Sequence, residues 1–195
     1  MNICVYGAAS KDIGEKYLKA GHELGYKLAK RGHGLVFGGG DTGMMGASAR
    51  GTHDGGGHIT GIAPSFFNVD GILYQHCDDF IYTETMRQRK QKLEDCSDGF
   101  VVSPGGIGTF EEFFEILTLK QLGKLDKPIA MLNTDGYFDP MIEMLKYTAS
   151  ENFMSEKNLE LFYISDDIDS VLDYLENPPK PDFEISELRR IKVGV

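Results

Sequence analysis

Two glycine clusters, one pair of adjacent cations and two neighbouring carboxylates are the residues of this chain whose types and spacing can carry chemistry. The first cluster is Gly38-Gly39-Gly40-Asp41-Thr42-Gly43-Met44-Met45-Gly46, and the second is Pro104-Gly105-Gly106-Ile107-Gly108-Thr109. Each follows a short apolar run and precedes a helical pattern. Glycines in such loops let the backbone approach a ligand closely, while free N–H groups at a helix start point at an anion. Tight strand-to-helix turns would explain either cluster alone; two of them in one chain favour an anionic ligand.

Gly38, Gly40 and Gly43 also satisfy G-x-G-x-x-G. A dinucleotide site asks for an acidic residue about 20 positions further on, at the end of the next strand. That strand ends in Gly61-Ile62-Ala63-Pro64, with no carboxylate for a ribose, so NAD is not expected. No G-K-[ST] follows either loop, which excludes an ATP-type P-loop.

The cations lie between the loops. Met86 to Ser97 reads as a helix with Met86, Leu93 and Cys96 or Ser97 on one face. Arg89 and Lys90, three and four residues after Met86, fall on the same face, whereas Arg87, Gln88, Gln91 and Lys92 fall elsewhere. Buried cations need anionic partners, here either a bound phosphate or a structural carboxylate. Thr109-Phe110-Glu111-Glu112 opens an amphipathic helix with Phe110, Phe113, Phe114 and Leu117 as its expected core stripe. Thr109 with Glu112 three residues later matches a capping box. Glu112 therefore has a structural reading beside a catalytic one, and Glu111 is the next candidate, favoured electrostatically in the first turn.

Ile3 to Tyr6, Leu35 to Phe37, Ile59 to Ala63, Phe80 to Tyr82, Phe100 to Val102, Ile129 to Leu132 and Phe162 to Ile164 read as strands. Several are too uniformly apolar to have one wet face, which implies a parallel sheet covered on both sides. Tyr17, Leu18, Gly21, Leu24, Gly25 and Leu28 make one helical stripe. A second helix begins at Asp139-Pro140, read as cap and first helical residue, and a third runs from about Asp167 to Leu175. The alternation gives an α/β fold, a doubly wound parallel sheet with helices on both faces, Rossmann-like in kind. Its glycine loops would lie at the carboxyl ends of strands, where such sheets bind ligands. Residues 1–177 form the expected single nucleotide-binding domain; Pro178, Pro179 and Pro181 break the pattern, leaving 178–195 as a tail or short appended helix.

A length of 195 residues with 41% hydrophobic and 26% charged residues suits one globular core. No apolar run approaches the about 18 residues of a membrane span, and Met1 leads straight into a strand-like segment, so a cytoplasmic protein with no membrane partner is expected. A net charge of −10 argues against nucleic acid as partner, despite the local cluster Arg87, Arg89, Lys90 and Lys92. Cys4, Cys77 and Cys96 lack C-x-x-C spacing, and Cys4 and Cys96 suit buried thiols. The five histidines show no H-E-x-x-H, so no metal site is expected.

Pro104-Gly105-Gly106-Ile107-Gly108-Thr109-Phe110-Glu111-Glu112 reproduces P-G-G-x-G-T-x-x-E, and Met86-Arg87-Gln88-Arg89-Lys90 follows M-H-x-R-K. With Gly38-Gly39-Gly40, Gly43, Met45 and Gly46 in the first loop, these motifs resemble the LOG family, once labelled "lysine decarboxylase". The likeness spans roughly Ile3 to Leu175. It implies a cytokinin riboside 5′-monophosphate phosphoribohydrolase, an N-glycosidase acting on a nucleoside 5′-monophosphate such as AMP, and a homodimer. It implies Arg89 and Glu112 as the catalytic pair. Gly105, Gly106, Gly108 and Thr109 would bind the 5′-phosphate together with Gly39 and Gly40 of the first loop, and Ser10, Met86 and Lys90 would line the nucleotide pocket. Arg87 stands where the family has histidine, and Ala8-Ala9-Ser10 where it commonly has G-S-S. A nucleotide sensor of the same fold is the alternative; no lysine sits in a context that argues for pyridoxal phosphate, and no cofactor is expected.

Overall fold

The computed structural model describes residues 1–67, 71–180, 182–184 and 188. Its strands are β1 (Asn2–Tyr6), β2 (Gly34–Phe37), β3 (Ile59–Pro64), β4 (Asp79–Thr83), β5 (Gly99–Val102), β6 (Ile129–Leu132) and β7 (Tyr163–Ser165). They form one sheet in the order β4-β3-β2-β1-β5-β6-β7, with every neighbouring pair parallel. The expected strands are all present, with no end displaced by more than one residue.

Among the described residues the α-helices are α1 (Glu15–Lys30), α2 (Gly43–Gly55), α3 (Met86–Asp95), α4 (Ile107–Gln121), α5 (Asp139–Ser150) and α6 (Ile168–Glu176), the last following β7. Side chains alternate across a strand, and both resulting faces are apolar. Ile3, Val5, Leu35 and Phe37 point into a core completed by Leu24 and Leu28 of α1, Ala49 of α2 and Val171 and Leu172 of α6. Cys4, Tyr6, Val36, Phe100 and Val102 point into the other, with Leu93 of α3, Phe113 and Ile116 of α4 and Leu145 of α5. Helices on both faces explain why the strands carry no polar alternation.

Asp167 caps α6, accepting the Asp169 and Ser170 amides at 2.7 and 3.2 Å. α3 opens with a capping box that the sequence reading overlooked: Thr85 Oγ1 accepts from the Gln88 amide at 3.2 Å, and Gln88 Oε1 from the Thr85 amide at 3.1 Å. Asp139 is the first residue of α5, not its cap; that position falls to Phe138, and the Asp139 carboxylate accepts from Asn133 Nδ2 at 2.7 Å.

The start of α4 departs most from expectation. The helix begins at Ile107 with Gly106 as its N-cap and no side-chain cap bond, so the Thr109–Glu112 capping box does not form. The cap lies three residues earlier than expected, and Thr109, Glu112, Phe113 and Ile116 are the buried residues of the helix. Of the expected stripe, Phe113 is fully buried, while Phe110, Phe114 and Leu117 pack at the margins of the core. Of the expected tail 178–195, residues 181, 185–187 and 189–195 lie outside the described residues; Leu188 is buried. Cys4 is buried and Cys96 partly so. No described helix is long and apolar enough to cross a membrane.

Candidate active site

From β1 the chain proceeds outward through β2, β3 and β4, then returns to lay β5 against the other side of β1. The loops leaving β1 and β5 consequently diverge and open a crevice at the carboxyl end of the sheet, the usual ligand position of an open α/β fold. The Ala8 amide donates to Pro104 O at 3.0 Å, joining the two loops, and the Met45 amide donates to Ala8 O at 3.3 Å, bringing in α2. A cavity of about 350 Å³ lies between them, within the size range of small-molecule sites.

Most of the sequence-predicted residues meet here. Met86 and Arg89 reach the cavity from α3, Gly106 from the second loop, Gly108, Thr109 and Glu112 from α4, and Ser10 from the loop after β1. Four do not line it. Gly105 lies behind the loop, with its carbonyl accepting from Tyr137 Oη at 2.7 Å. Gly39 and Gly40 are drawn toward the segment after β3: the Tyr74 amide donates to Gly39 O at 2.9 Å, and Gly40 bridges to Leu73. Lys90 turns to Glu111 and to Glu115, the latter at 2.9 Å. Burial pulls the Lys90 pKa down, but the bonds to these two carboxylates outweigh it and hold the ammonium above its ordinary range. Arg87 is exposed.

At the cavity floor Arg89 Nη1 donates to Glu112 Oε1 at 2.8 Å, and Arg89 Nε donates to Ile62 O of β3 at 3.3 Å. The two side chains are only 9% and 10% exposed, so each charge depends on the other for compensation. The helical face that carried a cation inward therefore meets a carboxylate, the structural alternative left open for Arg89, yet the pair borders an open cavity. Burial raises the Glu112 pKa above its ordinary 4.5, against the lowering by the Arg89 charge and hydrogen bond. Behind the pair lie the Tyr6 hydroxyl and the Cys4 thiol, both pushed upward chiefly by burial. A carboxylate with raised affinity for protons, beside a cation and facing a cavity, can accept a proton or stabilise positive charge.

The start of α4, one turn before Glu112 on the same helix, suits an anion. By helix geometry the amides of Ile107, Gly108 and Thr109 have no intrahelical acceptor, and they stand at the positive end of the α4 dipole. A Cβ placed on Gly106 or Gly108 would meet no atom within 4 Å. The fold itself does not require glycine there, while a ligand resting on the backbone would.

Sequence reasoning missed Gly7, Ala8, Ala9, Met45 and Phe67 as cavity residues, and Tyr137 as the brace behind the loop. The turn leaving β1 was the available signal for the first three; Phe67 and Tyr137 arrive only through the tertiary fold.

Residues 45–175 match a family model described as "Possible lysine decarboxylase". The chain is 34% identical over 187 residues to the cytokinin riboside 5′-monophosphate phosphoribohydrolase LOG2 of Arabidopsis thaliana, covering 95% of this chain and 88% of that one. It is 37% identical over 154 residues to the phosphoribohydrolase LOG of Oryza sativa subsp. japonica, covering 79% of this chain and 64% of the rice protein. Among solved structures, the molybdenum cofactor carrier protein of Chlamydomonas reinhardtii superposes with a TM-score of 0.65 at 24% identity, over 90% of this chain and 95% of that one. The molybdenum cofactor binding protein of Rippkaea orientalis gives 0.65 at 21% identity, over 90% and 93%. These two likenesses speak for the fold alone.

Proposed function

The chain belongs to the LOG family, and from that premise we propose that it hydrolyses the N-glycosidic bond of a nucleoside 5′-monophosphate, AMP or a cytokinin riboside 5′-monophosphate, to free base and ribose 5-phosphate. The observation that carries the reading is the buried Arg89–Glu112 pair in a cavity that is also lined by the glycine-rich start of α4.

In this reading the 5′-phosphate rests on the α4 amides, at Gly106, Gly108 and Thr109. Phosphate anchoring fixes the ribose, so binding energy remote from the reacting bond lowers the barrier. As the bond from C1′ to the base nitrogen breaks, its electron pair leaves with the base and the sugar develops oxocarbenium-like charge. The Glu112 carboxylate, beside the Arg89 cation, stabilises that charge or takes the proton of the attacking water. Water oxygen bonds to C1′, and the water's protons end on the base and the sugar hydroxyl. Arg89 keeps Glu112 in place and offers a cation to the departing base or to the phosphate.

The test is a chromatographic screen of nucleoside 5′-monophosphates for released base. Appearance of base and ribose 5-phosphate in equal amounts supports the reading, and intact nucleotide throughout the screen, with binding retained, would make the protein a nucleotide sensor.

A further inference from the structure

We propose that Gly38 is a positioning residue for Arg89: the bare backbone at Gly38 is the space in which the guanidinium lies, and any side chain there drives Arg89 off Glu112. The inference rests on the reading of Arg89 and Glu112 as the reacting pair.

Gly38 directly follows β2, and Arg89 reaches over the carboxyl ends of β2 and β3 to meet α4. Three atoms of its head group are accounted for separately. Nε donates to Ile62 O on β3, Nη1 donates to Glu112 Oε1, and Nη2 lies against Gly38. A Cβ built on Gly38 would overlap Nη2 far inside van der Waals contact, and would lie 3.2 Å from Arg89 Cζ and 3.1 Å from Met45 Sδ. Gly38 is not among the glycines with positive φ, so its backbone conformation is open to alanine. The guanidinium, not the fold, excludes a side chain there.

The overlapped atom is the far end of a flexible side chain, and this decides what a methyl group would do. Arg89 can rotate away at little cost to the surrounding core, since the strand backbone need not move. The ion pair cannot survive that rotation unchanged, because Glu112 is fixed on α4 and the pair has little room around it at 9% and 10% exposure. A misplacement of about 1 Å in a reacting group costs on the order of 10²-fold in rate. The amides at Gly106 and Gly108 belong to the start of α4, whereas a side chain on Gly38 meets Arg89 and Met45 first, so substrate binding should change far less than turnover. Losing the nearby cation also leaves the buried carboxylate harder to ionise, which moves the acid limb of the rate profile to higher pH.

A double-mutant cycle on the full chain tests this, with AMP as the probe. Gly38→Ala is expected to lower kcat on the order of 10²-fold, with KM changed by only a few-fold and the acid limb displaced upward. In Arg89→Lys the ammonium ends one bond short of Nη2, so the added methyl meets no guanidinium. Adding Gly38→Ala to Arg89→Lys is therefore expected to change the residual kcat by less than about threefold, a strong departure from additivity. Equal effects of Gly38→Ala in both backgrounds overturn the proposal. If Gly38→Ala fails to fold, recovery of folding in the Arg89→Lys background supports it and continued misfolding overturns it. If the wild-type chain releases no base from any nucleoside monophosphate, the functional reading falls by itself. The seat is then read from the same cycle in melting temperature, where coupling supports it and additivity overturns it.

Discussion

Arg89 and Glu112 come from helices that follow different strands, yet Nη1 and Oε1 lie 2.8 Å apart at the floor of a cavity. Among the described residues neither makes a further ion pair, while Lys90 pairs with Glu111 and Glu115, and Glu111 also lines the cavity. Glu112 makes no cap bond to Thr109, so its conformation is set by Arg89 and not by the helix start.

This arrangement separates charge from shape. Glu112→Gln keeps an acceptor oxygen for Arg89 Nη1 but removes the negative charge and the proton acceptor. Turnover should fall on the order of 10²-fold or more, the scale of lost general acid–base help. Melting should also fall, since Arg89 is left as a buried cation without a counter-charge. Binding of AMP by calorimetry should stay within a few-fold. A well-folded Glu112→Gln enzyme turning over at the wild-type rate would return Glu112 to a structural role.

The pH dependence follows from the same burial. Glu112 has a pKa raised above 4.5 by burial, and the proposed mechanism uses its ionised form. The acid limb of kcat/KM should therefore lie above the ordinary glutamate value, with activity rising as pH increases through it. Stability runs the other way for this one group: a folded-state pKa above the unfolded one contributes stability at low pH that is lost as pH rises through the folded value. A limb at or below 4.5 would contradict the burial argument.

Tyr137 supports the second glycine loop from behind, with its hydroxyl on Gly105 O at 2.7 Å. Removing that hydroxyl in Tyr137→Phe deletes about one hydrogen bond, about 1 kcal/mol in favourable cases. The loosened loop should raise KM for AMP roughly fivefold while kcat changes less. A KM equal to wild type would mean that the loop holds its shape without the brace.

Apolar side chains stand exposed on the segments that border the cavity: Met86, which lines it, is 40% exposed, Ile107 at the start of α4 88% and Phe66 next to the lining Phe67 57%. Surfaces of this kind mark partner contacts, and a homodimer is the proposed covering. Light scattering at micromolar concentration should return twice the mass of the chain, and Ile107→Glu should shift it toward the monomer. A monomeric wild-type chain would contradict this.

The sheet was largely legible because parallel strands buried on both faces leave continuous apolar runs such as Ile129–Leu132, which match their observed bounds. Helix starts were less so. T-x-x-E at Thr109 has the local form of a capping box, but α4 is capped three residues earlier at Gly106, and Glu112 turns inward to a cation 23 residues away in sequence. Local pattern carries no information about that distant partner. The inward cations of α3 were visible from spacing, whereas their divergence, Arg89 to the floor and Lys90 to Glu111 and Glu115, depends on how α3 and α4 pack. The first glycine loop read as a ligand cradle; its Gly39 carbonyl is instead engaged by Tyr74, a segment no motif pointed to.

The most direct measurement compares AMP with adenosine in one chromatographic assay on the wild-type chain. A phosphate anchored on the α4 amides beside the Arg89–Glu112 pair predicts adenine and ribose 5-phosphate in equal amounts from AMP. It also predicts adenosine turnover lower on the order of 10²-fold, since remote binding energy is lost with the phosphate. AMP left intact, or adenosine cleaved as fast as AMP, would contradict the account.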